Sequence, residues 1–82
     1  MKRIAWTEQA RADIRGLAGP TAMRILYTLH RFVESGTGDV KTLQGGREEL
    51  RLRAGDYRIF FVLKADEVIE VCRVRHRRDA YR

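Results

Sequence analysis

The sequence predicts one α+β domain in which two helices cover one face of a largely antiparallel sheet. Apolar residues recur with a helical period before residue 35 and with a period of two after residue 49 of this 82-residue chain. Gly19-Pro20 interrupts the helical part, so two helices are expected rather than one. With one strand before them and three after, the predicted order is strand, helix, helix, strand, strand, strand, and residues 1–82 form a single domain.

The first part of the chain is predicted to hold a short strand and both helices. The strand covers residues 3–6, and Thr7 is a suitable N-cap for a helix with Glu8 in its first turn. The apolar face of this helix comprises Ala10, Ile14 and Leu17. The apolar face of the second helix comprises Ala22, Leu26, Leu29 and Val33, widened by Met23, Ile25 and Phe32. Gly36 is placed to end this helix.

The second part is predicted to form three consecutive strands after a loop at residues 35–39. Leu50 and Leu52 alternate with charged residues, the turn Ala54-Gly55-Asp56 follows, and residues 57–63 alternate again, which is the pattern of a hairpin. A second turn at residues 64–67 leads to a β-branched strand at 68–75. Alternation leaves the orientation of this third strand ambiguous. One parity holds Ile69, Val71, Arg73 and Arg75, and the other holds Glu70, Cys72 and Val74.

The hairpin pattern predicts a basic face on the sheet. If the apolar set Leu50, Leu52, Ile59 and Phe61 faces the helices, the residues that alternate with it must lie on the other side. The cations on that side are Arg51, Arg53 and Arg58. Two hairpin registers place Arg58 opposite either Arg51 or Arg53, and like charges so placed destabilise a sheet by up to about 1 kcal/mol. A chain that retains these arginines despite that cost is expected to need their charge for its function.

The charge of the chain indicates a polyanionic partner. Seventeen Lys and Arg stand against eleven Asp and Glu, a formal net charge of +6 at pH 7. Residues 73–82 alone contain five arginines and a single acid, Asp79. Guanidinium groups make the planar, bidentate contacts that phosphate oxygens favour, so this composition suggests phosphate binding. The other interpretation of such a surface is that it only keeps the protein in solution.

Other features restrict the class of protein. Cys72 is the single cysteine, so it cannot form an internal disulfide, and its place in a strand suggests packing in a reducing cytoplasm. The N-terminus turns polar at Thr7 before any signal-peptide stretch develops, and no apolar run reaches the length of a membrane span. A cytoplasmic protein without a membrane partner is therefore expected.

Two segments carry a resemblance to a known family. Residues 50–61, LRLRAGDYRIFF, and residues 71–82, VCRVRHRRDAYR, resemble the RelE branch of the RelE/ParE toxin superfamily. In that family the patterns RLR.GDYRI and V..V.HR.DVYR recur at about this separation. The predicted order of helices and strands also matches the RelE-like fold, so the resemblance spans nearly the whole chain.

The resemblance implies the toxin of a bacterial toxin–antitoxin pair, one that enters the ribosomal A site, cuts the mRNA codon there and so inhibits translation. The implied reaction is attack of a ribose 2′-OH on the neighbouring phosphate, which leaves a cyclic phosphate and needs neither metal nor cofactor. It requires deprotonation of the 2′-OH, neutralisation of the phosphorane and protonation of the leaving 5′-oxygen. The implied partners are a cognate antitoxin, bound in a hetero-oligomer, and the ribosome with its mRNA.

The resemblance also assigns roles to particular residues. Arg58 matches the arginine that stabilises the phosphate, and Arg51 matches a basic position in the preceding strand. Tyr81 matches a tyrosine that stacks on or orients the substrate, and either His76 or Arg77 matches the group that protonates the leaving oxygen. The remaining arginines expected to bind RNA are Arg53, Arg73, Arg75 and Arg78.

Glu49 departs from the pattern of the best-known family members, which place a second lysine in the strand before the hairpin, although family members differ at these positions. A cationic contact is lost and a possible carboxylate base is gained. No strong general base is otherwise evident, so cleavage is expected to need the ribosome to position the substrate. Two other functions stay open. ParE-type members share the fold and block DNA gyrase without cutting RNA, but they generally lack the His-Arg…Tyr ending, and a structural RNA-binding protein would need only the basic face.

Overall fold

A computed structural model describes residues 3–42 and 49–80 of the chain. The elements, in chain order, are β1 (Arg3–Trp6), α1 (Glu8–Arg15), α2 (Gly19–Ser35), β2 (Val40–Thr42), β3 (Glu49–Ala54), β4 (Tyr57–Lys64), a 3₁₀ turn (Ala65–Glu67) and β5 (Val68–His76). The strands of these described residues form one sheet in the order β1-β5-β4-β3-β2. β1 runs parallel to β5, and the other neighbours are antiparallel. The predicted α+β class is confirmed, and the predicted elements follow one another in the expected order, but β2 is a fifth strand that was not predicted.

The helices begin and end where local chemistry predicts, with one exception. Thr7 caps α1, since its Oγ1 accepts a hydrogen bond of 3.1 Å from the backbone N of Ala10. Gly36 ends α2 in the left-handed conformation at φ 74°. The exception is Leu17, which packs on the core from beyond the last residue of α1, because that helix already ends at Arg15.

Met23 was expected to widen the apolar face of α2, and that expectation is wrong. Its side chain is 65% exposed, whereas Ile25 and Leu29 of the same helix are fully buried. Two residues along an α-helix turn the side chain by about 200°, so Met23 and Ile25 point in nearly opposite directions. The buried stripe therefore excludes it.

The core lies between the two helices and one face of the sheet. α1 packs against β5, while α2 packs against β3 and β4. The buried cluster comprises Ala10, Ile25, Leu29, Leu52, Ala54, Ile59, Phe61, Ile69, Val71 and Val74. The opposite face of the sheet, which we call the open face, carries no described helix. None of the described helices is long and apolar enough to cross a membrane.

A β-bulge at Cys72 resolves the ambiguity of the last strand. Phe61 of β4 is opposite Val71, but its neighbour Phe60 is opposite Arg73, so Cys72 is an extra residue in β5. The extra residue reverses the alternation. Apolar residues therefore reach the core both before and after it, and Arg73 is turned to the open face.

Candidate nucleic-acid interface

Two rows of side chains cross the open face. The first, which we call the arginine row, runs through Arg53 of β3, Arg58 of β4 and Arg75 of β5, which are directly opposite one another. The second, the mixed row, comprises Lys41, Arg51, Phe60 and Arg73. The rows are two residues apart along each strand, roughly 7 Å. The predicted placement of Arg51, Arg53 and Arg58 opposite the core is thus confirmed, and the register pairs Arg58 with Arg53.

Arg58 occupies the centre of the arginine row. Its Nη1 donates hydrogen bonds of 2.9 Å to the backbone oxygens of Gly55 and Tyr57, which folds the guanidinium toward the hairpin turn. Burial is the largest cause that lowers the pKa of Arg58 from its ordinary value. The charges of Arg53, Arg51 and Arg77 lower this pKa further, and Asp39 opposes them. A phosphate bound here would relieve the repulsion among these cations.

The two arginines contributed by β5 are each paired with a carboxylate. Arg73 forms an ion pair with Glu49, with 3.1 Å between Nη2 and Oε1, and its guanidinium carbon lies 4.0 Å from the ring centroid of Phe60. Phe60 is fully buried beneath it. Arg75 is paired with Asp13 of α1, at the outer edge of β5. Among the described residues, no carboxylate forms an ion pair with Arg53 or Arg58. The uncompensated charge of the arginine row therefore lies on β3 and β4.

Glu49, considered above as a possible base, has a structural partner. Its carboxylate faces Arg73, and its side chain is 12% exposed. Both carboxylate oxygens are engaged by Arg73, since Oε2 also accepts a hydrogen bond of 3.4 Å from its Nη1. The geometry thus assigns Glu49 first to the orientation of Arg73.

His76 lies on the other side of the sheet from Arg58. It is opposite Tyr57, which packs against the core, and the two rings meet edge to face with centroids 5.2 Å apart. Its Nδ1 accepts a hydrogen bond of 3.2 Å from the backbone N of Arg78. That acceptor role fits the tautomer with hydrogen on Nε2. His76 and Arg58 are therefore near the same end of the sheet but on opposite faces.

Arg77 is tied to the hairpin turn that also holds Arg58. Its backbone N donates a hydrogen bond of 2.7 Å to the oxygen of Asp56, and its Nε lies 3.9 Å from the Asp56 carboxylate. Its charge is among those that lower the pKa of Arg58. Arg78 is exposed in the following turn. Tyr81 lies outside the described residues, so its predicted role stays a prediction.

Cys72 fits a packing role. The thiol is half-buried, and burial, followed by the charge of Glu49, raises its pKa above the ordinary value. A raised pKa keeps the thiol protonated and unreactive near neutrality. The described residues include no group of three or more His, Cys, Asp or Glu side chains that could hold a metal ion.

Two residues of this face were not predicted. Lys41 joins the mixed row because β2 pairs with β3, and its three-residue strand has too little alternation to be recognised in the sequence. Asp13 lies in a correctly predicted helix, yet its partner Arg75 is 62 positions away, and no pattern among the neighbours of Asp13 indicates this pairing.

Comparison with known proteins gives both a family and a fold. A family model described as the ParE toxin of the type II toxin–antitoxin system parDE matches residues 4–81. The RelB–RelE antitoxin–toxin complex from Methanococcus jannaschii contains a chain with TM-score 0.75 and 23% identity, covering 94% of each chain. The RelE–RelB complex from Pyrococcus horikoshii gives TM-score 0.74 and 24% identity, over 96% of this chain and 98% of that one. YafQ from Escherichia coli gives TM-score 0.76 and 11% identity over the whole of both chains. No curated protein sequence matches. At these identities the structures establish a shared RelE-like fold.

Proposed function

Because the chain belongs to the ParE toxin family of type II toxin–antitoxin systems, we propose that it is a toxin acting by the RelE-type reaction, as a metal-independent endoribonuclease of ribosome-bound mRNA. The observation that carries this proposal is the arginine row on the open face. The positive charge of this row is complementary to the negative charge that develops on the phosphate when a 2′-oxygen attacks it.

The arginine row provides electrostatic stabilisation of the phosphorane. Adjacent strands are about 4.8 Å apart, so the row brings three arginine side chains from neighbouring strands within reach of one phosphate group. Arg58 is central; burial is the largest cause that lowers its pKa, and neighbouring like charges, which an incoming anion would balance, lower this pKa further. Donors already in place before the reaction stabilise developing charge without having to reorganise.

Cationic side chains are available on the open face, but the two candidates for proton transfer, Glu49 and His76, are not. Glu49 is engaged by Arg73, and His76 is behind the sheet relative to Arg58. Arg77 is the tail group whose charge acts on Arg58, so we assign stabilisation of the leaving 5′-oxygen to Arg77. Tyr81 is assigned to stacking on a base of the codon, following the family resemblance. The ribosome would place the 2′-OH in line for attack.

We further propose that a cognate antitoxin binds this chain and masks the open face. The M. jannaschii and P. horikoshii neighbours are toxin chains in complex with RelB. A basic surface that is toxic to the producing cell has to be covered, and a segment that folds on binding can cover a large area. The resulting toxin–antitoxin hetero-oligomer would hold the toxin inactive in the cytoplasm, where the ribosomes are.

A second candidate is inhibition of DNA gyrase without RNA cleavage. The family model that matches is named for ParE, and the position of His76 away from Arg58 removes one expected acid from the basic face. The same open face could bind the phosphates of DNA. Against it stands the His-Arg…Tyr ending, which gyrase inhibitors of this superfamily generally lack.

The deciding experiment compares both activities with the same purified protein. Ribosomes carrying a defined mRNA are mixed with toxin, and new 5′-ends are mapped by primer extension, while gyrase supercoiling is assayed in parallel. We expect cuts at A-site codons, no gyrase inhibition, and loss of cutting in Arg58→Ala. Arg31→Ala is the control, since Arg31 is exposed on α2, away from the open face. Gyrase inhibition without cuts would favour the second candidate.

A further inference from the structure

The outer edge of β5 changes its partner halfway along. β1 pairs with β5 only as far as Trp6 and Val71. Beyond that point the edge is bonded by side chains of α1 and of its N-cap. The Oγ1 of Thr7 donates a hydrogen bond of 2.9 Å to the oxygen of Cys72, and the Val74 backbone N donates one of 2.9 Å to Oδ2 of Asp13. A helix side chain thus satisfies a strand edge that would otherwise lack a described partner.

Asp13 is the point at which this edge meets the open face. Its Oδ2 also accepts a hydrogen bond from Nη1 of Arg75, and its Oδ1 accepts one of 2.8 Å from Nε2 of Gln9. The Asp13 side chain is 13% exposed, whereas that of Arg75 is 33% exposed. One largely buried carboxylate therefore holds a helix, a strand edge and one member of the arginine row together.

We propose that Asp13 is a positioning residue for the open face and acts on bound RNA through Arg75. The pairing fixes the Arg75 guanidinium at the outer edge of β5, the strand next to that of Arg58, and compensates its positive charge. Nη1 is taken up by Asp13 and the oxygen of Val74. The Nε and Nη2 groups have no hydrogen-bond partner within the described part of the chain and can meet a phosphate oxygen. The expected effect on the cleavage rate rests on the proposed function, whereas the expected effect on polyanion affinity is independent of it.

The proposal predicts opposite changes in binding and in chemistry. Without the carboxylate, the positive charge of Arg75 is no longer compensated, so the affinity for any polyanion should increase. The same change lets the guanidinium leave the position that Asp13 fixes, so the rate of cleavage should fall, because displacement of a group that contacts the substrate by about 1 Å can reduce a rate about 100-fold. A purely structural role for Asp13 would lower binding and cleavage together.

The first test measures the binding of purified protein to oligouridylate over a range of salt concentrations. Asp13→Asn removes the charge but keeps an oxygen for Val74 N. We expect its plot of log affinity against log salt to be steeper by about 0.7, the value for one additional phosphate contact on a single strand. Asp66→Asn is the matched control. It changes the net charge equally, lies in the turn at the far end of β4 and β5, and has a positive φ of 62° that asparagine tolerates.

Combination with Arg75→Ala shows whether Asp13 acts through Arg75. In that background Asp13→Asn should add no further steepening. An unchanged slope in Asp13→Asn, an equal change in Asp66→Asn, or a change that persists without Arg75 would each overturn the proposal. Arg75→Ala also removes the ion pair without touching the Val74 bond, so it tests the same pairing if Asp13→Asn does not fold.

The second test measures single-turnover cleavage on ribosomes at saturating toxin. We expect Asp13→Asn to be about tenfold slower than the wild type and no slower than Arg75→Ala or the double variant. Thr7→Ala is the structural control, because it loses a bond to the same strand edge and the N-cap of the same helix but removes no charge and no contact of Arg75. Equal slowing in Thr7→Ala would overturn the positioning role. If the wild type does not cleave, the proposed function fails, and the salt test still decides whether Asp13 controls Arg75.

Discussion

Arg53 and Arg58 are directly opposite each other on neighbouring antiparallel strands, and both side chains are on the open face. Cross-strand neighbours of like charge repel, and after burial the charge of Arg53 is the largest cause that lowers the pKa of Arg58. Since no described carboxylate forms an ion pair with either residue, the repulsion persists in the isolated protein. Binding of phosphate would convert this unfavourable pair into a favourable site.

Removal of Arg58 should affect chemistry more than binding. Arg58→Ala is expected to reduce single-turnover cleavage on ribosomes by roughly 10²–10³-fold, the usual effect of losing one donor to a developing charge. Ribosome binding, measured by co-sedimentation, should change little because other cations of the open face remain. Arg31→Ala should match the wild type in both assays. A loss of binding as large as the loss of rate would contradict a role specific to the transition state.

Removal of Arg53 should stabilise the fold while it weakens the site. Arg53→Thr eliminates the repulsion and introduces a β-branched residue, so the free energy of unfolding in urea should rise by up to about 1 kcal/mol. Oligouridylate affinity should fall, and its salt dependence should decrease by about 0.7. In 1 M NaCl the gain in stability should shrink, since salt screens the repulsion in the wild type. A less stable Arg53→Thr protein would show that Arg53 packs favourably.

The tail should act through Arg77 rather than His76. Arg77 is close enough to lower the pKa of Arg58, whereas His76 lies on the core side of the sheet against Tyr57. Arg77→Ala is therefore expected to slow cleavage by at least about tenfold, while His76→Gln keeps both the rate and the pH profile of the wild type. A pH profile that becomes flat near neutrality in His76→Gln would instead identify His76 as the group that transfers the proton.

Tyr81 is expected to act through its ring. Stacking of a base on an aromatic side chain contributes about 1–3 kcal/mol, so Tyr81→Phe should cleave at nearly the wild-type rate and Tyr81→Ala should lose most activity. Primer extension on ribosomes measures both variants side by side. If the two are equally inactive, the hydroxyl group takes part in proton transfer or in orienting the substrate.

Cys72 should make stability depend on pH in the alkaline range. Its folded pKa is raised above 9.0, chiefly by burial, so the neutral thiol is favoured in the folded state. This contribution is complete below pH 9 and is lost as the pH rises through the folded pKa. The difference in unfolding free energy between wild type and Cys72→Ala should therefore shrink above pH 9. A constant difference from pH 7 to pH 10.5 would contradict it.

Local patterns predicted the hairpin and the caps because their causes lie within a few residues. The alternation around Leu52 and Ile59 placed Arg53 and Arg58 correctly, and Thr7 and Gly36 marked helix ends. Long-range pairing escaped the same reasoning. The parallel contact of β1 with β5 joins residues 3–6 to residues 68–71, and neither segment contains a local pattern that identifies the other as its partner.

The candidate site was predictable to the extent that it depends on alternation. Arg51 and Arg53 follow from period two, but the side of the sheet on which Arg73 and Arg75 lie depends on the bulge. The family resemblance assigned His76 to the same site as Arg58. The strand was predicted to end at Arg75, so alternation was not extended to His76, whereas β5 runs to His76 and turns it to the face opposite Arg75.

The bulge at Cys72 also bears on which changes this strand can accept. What the sheet requires there is one additional residue, so the number of residues matters more than the side chain. Conservative exchanges at this position, such as Cys72→Ala or Cys72→Ser, should be well tolerated. Deletion of one residue between Val71 and Arg73 would instead put the whole following stretch out of phase, with guanidinium groups driven into the core and Val74 exposed to water. Insertions and deletions, rather than substitutions, are therefore the changes that this part of the chain has to avoid.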